Sequence, residues 1–381
     1  MTSRPRPRDR DEKRRIAERF VDHLRYQPTD RPPCWETIGF WDATVARWRG
    51  EGLPAGVTGQ DYFDMEALHW IPEIPITNIP FFPEFEEEVL SEEDSHRVVR
   101  NRYGITRQEY LRGESMPLFL SFPVSDRGGW QRIKHRLDAD NPDRYAPLQR
   151  VAADFNARRG IPRGEEVCPF PVCAGYGTCR NLFGEERLAY VLYDAPELVH
   201  EIMATWLALY CGLAERAPLE FDFVYLWDDM AYRNGPLISP EMVAEFLAPY
   251  YRELIQHLRG LGYRLFLWDS DGAPQKILPL VAATGVNAFI PCEIAAGVDP
   301  IALQRQFGRS LGLSGGIDKR VLANGEREIY DEVMAKVPEL LRHGGYVPAI
   351  DHTIPHDVPF DHYCYFVELV RRLGREISPE V

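Results

Sequence analysis

The chain has 381 residues, 45% of them hydrophobic and 27% charged, with a formal net charge of −14. The acid surplus argues against nucleic acid or an anionic membrane as general partners. No apolar run approaches the roughly 18 residues that a membrane span needs.

Residues 1–15 (MTSRPRPRDRDEKRR) are basic, Pro-broken and lack the apolar core of a signal peptide. They are expected to form a disordered leader, with 16–381 as a single domain. The odd number of cysteines, at spacings matching no common disulfide or zinc signature, points to reduced thiols and a cytoplasmic protein.

Residues 13–24 read as a helix with Ile16, Phe20, Val21 and Leu24 on one face, broken by Asp30-Arg31-Pro32-Pro33. Residues 34–40 (CWETIGF) read as a first strand and 41–49 as a helix. Residues 74–82 (IPITNIPFF) give a second strand ending near Asn78. The stretch 98–111 alternates about a turn at 101–104, which predicts a β-hairpin inserted outside the main wall. A helix over 130–137 leads to a third strand at 167–174. Asp194, with Glu197 three residues on, predicts a capping box on a long helix running to Ala217. Ser239-Pro240 and Asp299-Pro300 start further helices. The last two run over 326–343, closed by Gly344-Gly345, and over 358–373.

Between these helices lie five apolar runs that each stop at an acidic residue: 221–229, 263–271, 286–293, 310–318 and 345–352. Strands alternating with helices predict an α/β fold with a parallel sheet, here a (β/α)8 TIM barrel. Residues just past each strand of such a barrel open onto one face, where its chemistry sits. Asp228 and Asp229, Asp269 and Asp271, Glu293, and Asp351 with His352 all fall there. Massed carboxylates share protons, pair with cations or bind a metal. Some are expected to be structural caps, Asp299 above all. Asp269, Asp271, His352 and Asp228 are the candidate catalytic groups. Asp269, Asp271, Glu293 and His352 are the candidate ligands of a divalent metal. Lys319 is expected to pair with one of the acids. Trp35, Tyr176, Arg180, Trp227, Tyr232 and Lys319 are the candidate substrate contacts around the same mouth. No P-loop, GxGxxG or serine-nucleophile signature occurs.

On these residues the chain resembles the uroporphyrinogen decarboxylase superfamily, which includes the cobamide-dependent methyltransferases. The resemblance covers nearly the whole chain. It rests on residues 29–33, the helix start at Ser239, WDSDG from Trp268, SGGIDK from Ser314 and the closing GGYVPAIDHTIPHDVPF from Gly344. It implies a (β/α)8 barrel. It also implies a small-molecule substrate, a separate corrinoid-carrying protein as partner, zinc as the metal, and a homodimer. The chain departs from the family pattern in specific places. The Arg-rich segment after the first strand of the decarboxylases reads Trp35-Glu36-Thr37-Ile38-Gly39, and neutral Asn78 stands near their second-strand Asp. The HxC pair of the methyltransferases reads Asp269-Ser270-Asp271, hard oxygen donors in place of soft thiolate. One-carbon (methyl) transfer is therefore the leading expectation. Decarboxylation of a tetrapyrrole or smaller acid is a second reading, and a non-catalytic ligand-binding barrel a third.

Overall fold

Short β-branched and aromatic runs alternate with amphipathic helices through the second half of the chain, and the computed structural model shows how they assemble. It describes residues 10–36, 38–66, 80–111, 117–146, 149, 167–217 and 221–377. The first strands, β1 (Glu88–Glu92), β2 (His96–Arg100), β3 (Thr106–Tyr110) and β4 (Leu118–Ser121), form an antiparallel meander of their own. The main sheet comprises β5 (Pro169–Cys173), β6 (Phe223–Trp227), β9 (Phe266–Asp269), β10 (Ala288–Cys292), β11 (Gly312–Ile317) and β12 (Tyr346–Ile350). A two-residue ribbon, β7 (Ala231–Tyr232) with β8 (Gly235–Pro236), lies in the loop after β6.

The main sheet has six strands in the order β12-β11-β10-β9-β6-β5, and every neighbouring pair is parallel. This is the α/β architecture expected. Strands buried on both faces read as near-continuous apolar runs, which is why these segments are legible in the sequence. The expected first strand is not a strand, but Phe40 bridges Ile354 in parallel just past β12, so the segment runs along that edge. Most of the expected second strand, with Asn78, lies outside the described residues, as do residues 1–9. Ring closure is not seen among the described residues.

The two faces of the sheet carry separate cores. Outward side chains such as Val224, Leu226, Phe266 and Trp268 pack under the helices. Inward ones, Phe223, Tyr225, Leu265, Leu267, Ala288, Ile290 and Val347, join Ile16, Phe20, Val21 and Leu24 of the helix Arg10–Leu24. That helix closes the N-terminal end of the sheet. His23 Nε2 lies 2.9 Å from the Tyr346 carbonyl, and a Cβ on Gly312 would overlap the Leu24 carbonyl oxygen. Only glycine admits so close a backbone approach.

Two local expectations are corrected, and a third, the hairpin outside the main wall, is extended. Residues 10–15, assigned to a disordered leader, are the first turns of this helix. The 98–111 hairpin is present, with the Asn101 side chain accepting from the Tyr103 and Ile105 amides, but it forms the centre of the four-stranded meander. The outer strands of that meander carry weak sequence signals, because β1 contains two glutamates and β4 has only four residues. Asp194 ends the helix Glu185–Asp194 and caps nothing. The next helix, Pro196–Arg216, starts from Ala195 without a side-chain cap, because Pro196 itself supplies the helical φ. Asp299 and Ser239 do cap, accepting from Ile301 and Met242 amides respectively.

Candidate active site

Strand alternation decides which side chain reaches the mouth. On β6, Tyr225 and Trp227 face inward with Phe223, so Asp228 must turn outward. Asp228 is fully buried between sheet and helices. Its Oδ1 accepts from the Gly177 amide at 3.1 Å, and its Oδ2 from Tyr251 Oη at 2.6 Å and Trp268 Nε1 at 3.4 Å. Burial raises its pKa to about 6. Asp228, one of the expected catalytic groups, uses its acceptor sites to join β6 to the helices Gly175–Phe183 and Ala248–Gly260.

Asp269 ends β9 on the inner face, where it accepts a hydrogen bond from the hydroxyl of Tyr225 on the adjacent strand. It is 5% exposed. Burial raises its pKa well above the ordinary carboxyl value, and the charges of Asp271 and Asp229 raise it further. Asp229 is raised for the same reasons, burial first and Asp271 second. Arg180 offsets part of this. Its Nη1 donates to the Asp229 carbonyl at 3.2 Å, Nη2 lies 3.6 Å from Asp229 Oδ2, and its guanidinium stands over the Trp227 ring at 5.8 Å.

Asp271 reaches across to the end of β12. His352 Nε2 lies 3.4 Å from Asp271 Oδ2, while its Nδ1 accepts from the Thr353 amide at 2.7 Å. The amide fixes the neutral ring's tautomer, so Nε2 carries the proton and donates to Asp271. Asp271 Oδ1 is buried with no hydrogen-bond partner. An orphaned carboxylate oxygen beside a cluster of raised acids is an open acceptor position.

The remaining acids hold loops. Glu293 Oε2 accepts from the Gly272 amide at 2.9 Å, and Oε1 lies 3.9 Å from Lys319 Nζ, the pairing expected of Lys319. Asp351, wholly buried, accepts from the Ile294 and Lys319 amides at 3.0 and 3.1 Å. The four residues expected to ligate a metal do not converge: Asp269 accepts from Tyr225, Glu293 from Gly272 beside Lys319, and Asp271 pairs with His352. Among the described residues no three His, Cys, Asp or Glu side chains could hold a metal ion. Among the described residues the donors do not fit a zinc site.

The expected aromatic contacts divide as well. Trp35 is buried at the closed end, its Nε1 donating to Ser314 Oγ at 2.9 Å and its ring edge-on to Phe20 at 4.8 Å. It packs in the inner core beside the helix Arg10–Leu24, which fills that end. Tyr176 is 4% exposed, and its amide donates to the Tyr251 hydroxyl oxygen at 3.3 Å. Trp227 is partly buried on the inner face, and Tyr232 is 69% exposed on the ribbon that follows β6. Sequence reasoning missed Tyr225 as a site residue, although its two-residue spacing from Trp227 along β6 places both on the same face.

A six-stranded parallel sheet gathering carboxylates at its strand ends defines an α/β scaffold whose site lies at the carboxyl ends of the strands. The sequence profile of the uroporphyrinogen decarboxylase (URO-D) family matches residues 178–373, just over half of the chain. The chain belongs to that family. A uroporphyrinogen decarboxylase of Erwinia tasmaniensis is 25% identical over 203 residues, covering 50% of this chain and 52% of that protein. The chain thus spans about half the length of that curated relative. A solved methyltransferase from Methanosarcina mazei superposes with a TM-score of 0.57 at 13% identity, covering 94% of this chain and 98% of that one. At that identity the likeness shows the shared fold. No helix among the described residues is long and apolar enough to cross a membrane.

Proposed function

We propose that the mouth catalyses transfer of a methyl group from a small methylated donor to a corrinoid carried by a separate protein, with Asp269 as proton donor. The observation that supports this is the state of Asp269. Burial first, and then the charges of Asp271 and Asp229, shift Asp269 toward its protonated form, and the Tyr225 hydroxyl holds it in place at the end of β9. In the proposed step the acceptor's electron pair forms the new bond to the methyl carbon. The old carbon–heteroatom bond breaks with its electrons on the heteroatom, and Asp269 protonates it. Asp269 then regains a proton from solvent by way of the Asp271–His352 pair. Asp229, Asp271 and Glu293 leave the mouth acidic, which favours neutral or cationic donors over polyanions. The fold shared with the Methanosarcina mazei methyltransferase supports the same reading.

Decarboxylation is the second reading, favoured by the match to the curated uroporphyrinogen decarboxylase. The same neutral carboxyl would protonate the carbon that loses carbon dioxide. The test runs both reactions side by side: methyl transfer from methoxylated and N-methylated compounds to free cobalamin held chemically reduced as cob(I)alamin, and decarboxylation of uroporphyrinogen. Turnover only in the first supports the proposal. Turnover only in the second replaces it with the decarboxylase. Silence in both, with saturable binding of a donor, makes the chain a ligand-binding barrel.

A further inference from the structure

A second recess lies on the outside of the sheet, and it has the opposite electrical character from the mouth. Pro348 is central on β12 and shares the outward face of Tyr346 and Ile350, which pack with the helix-covered core, while Val347 faces the interior. Against Pro348 and Val370 the chain leaves a cavity of about 270 Å³ ringed by Arg31, Arg371 and Arg375. Among the described residues, Asp64 is the one carboxyl in the lining. In a chain of net charge −14 this is a local reversal of sign.

Each guanidinium is held differently. Arg31 lies 2.6 Å from Glu66, a carboxylate with 1% exposure; Arg19, which contacts Glu66 at 3.0 Å, is also paired with Asp30 at 2.5 Å. Arg371 donates from Nη2 to the carbonyls of Phe63 and Asp64, which neutralises none of its charge. This contact clamps Asp64 in its left-handed turn at φ 47°. Arg375 is exposed at the rim and has no hydrogen bond or ion pair among the described residues. Three guanidiniums set against Asp64 and the Glu66 partner of Arg31 leave a net positive charge around a recess walled otherwise by Pro32, Pro33, Cys34, Pro348, Val370 and Gly374.

We propose that this crevice is a binding site for a small organic anion, a carboxylate on an apolar body. Planar guanidinium forks match carboxylate oxygens in pairs. The apolar walls would take the carbon frame. The volume is slightly below the roughly 300–1,000 Å³ of drug-sized sites, so a single-ring or short-chain acid fits and a nucleotide does not. The site is separate from the mouth and does not depend on the reading of its chemistry.

The test is calorimetric titration of the full chain with benzoate, using benzamide as the uncharged analogue and inorganic phosphate as the purely ionic one. Benzoate should bind saturably and benzamide should not. Arg375→Glu, at an exposed position, should weaken benzoate at least about tenfold, the scale of removing one charge-assisted hydrogen bond. Arg375→Lys should recover part of it. Arg180→Ala, which removes a cation from the mouth, should leave it unchanged. The proposal is overturned if benzoate does not bind, if phosphate binds and benzoate does not, or if Arg180→Ala rather than Arg375→Glu removes the binding.

Discussion

Tyr225 donates its hydroxyl to Asp269 from the neighbouring strand, so the innermost acid of the mouth is positioned by a side chain two residues before the strand end rather than by a loop. Both groups are buried at the inner core, where a hydrogen bond is electrostatically stronger than in water. The tyrosine favours the ionised carboxylate, while burial and the neighbouring Asp271 and Asp229 oppose it. The opposing influences leave a carboxyl shifted upward and rigidly aimed.

Tyr225→Phe removes the influence that lowers the Asp269 pKa. The carboxyl should then stay protonated to higher pH. The basic limb of the rate–pH profile should move upward relative to wild type, with thermal melting little changed. A profile that does not move would mean that Asp269 is not the acid whose ionisation limits the rate.

Asp271→Ala should reduce turnover by roughly 10²–10⁴-fold, the usual scale for a proton-transfer group. The fold should tolerate it, since the side chain is 39% exposed and the change gives up one long contact to His352. Thermal melting and circular dichroism check the fold, and the paired assays check the rate. A variant that fails to fold would assign Asp271 to the architecture instead.

Asp228 predicts a pH dependence of stability. Its folded pKa, about 6, lies above the ordinary 3.8 of the unfolded chain. Folding therefore favours the protonated form. Its contribution is fully present below about pH 4 and is lost as pH rises through 6. The span amounts to on the order of 2–3 kcal/mol. Urea unfolding between pH 4 and 7 should show this fall in wild type. Asp228→Asn, which cannot ionise, should be flatter over the same window.

Gly272→Ala should disturb the roof of the mouth. Gly272 has φ 79°, and a Cβ there would meet the Ala231 carbonyl and Tyr232 backbone at 2.9 Å. Strain and the displaced ribbon should cost roughly 1–3 kcal/mol. Activity should fall as well, because Glu293 Oε2 holds the amide of the same residue. Equal stability and activity to wild type would show that the ribbon shifts freely.

Much of this protein is local in origin and so was readable along the chain. Five strands leading to acidic residues were visible because parallel strands buried on both faces are apolar throughout. Their exits face one way because each strand returns through a helix. The caps at Ser239 and Asp299 were equally local, each requiring only a side-chain oxygen beside a helix start. What the sequence could not assign was the facing of neighbours that look alike. Asp228 and Asp229 are adjacent carboxylates at one strand end. Only the register of β6 against β5 and β9 sends the first to Tyr251 and Trp268 and leaves the second beside Arg180. Trp35 reads as a mouth residue until the helix Arg10–Leu24, distant in sequence from the strands it covers, fills the end where it lies. Pairings such as Asp271 with His352 join elements 81 residues apart. They depend on how far the sheet curves, and curvature belongs to the packed assembly rather than to any one segment.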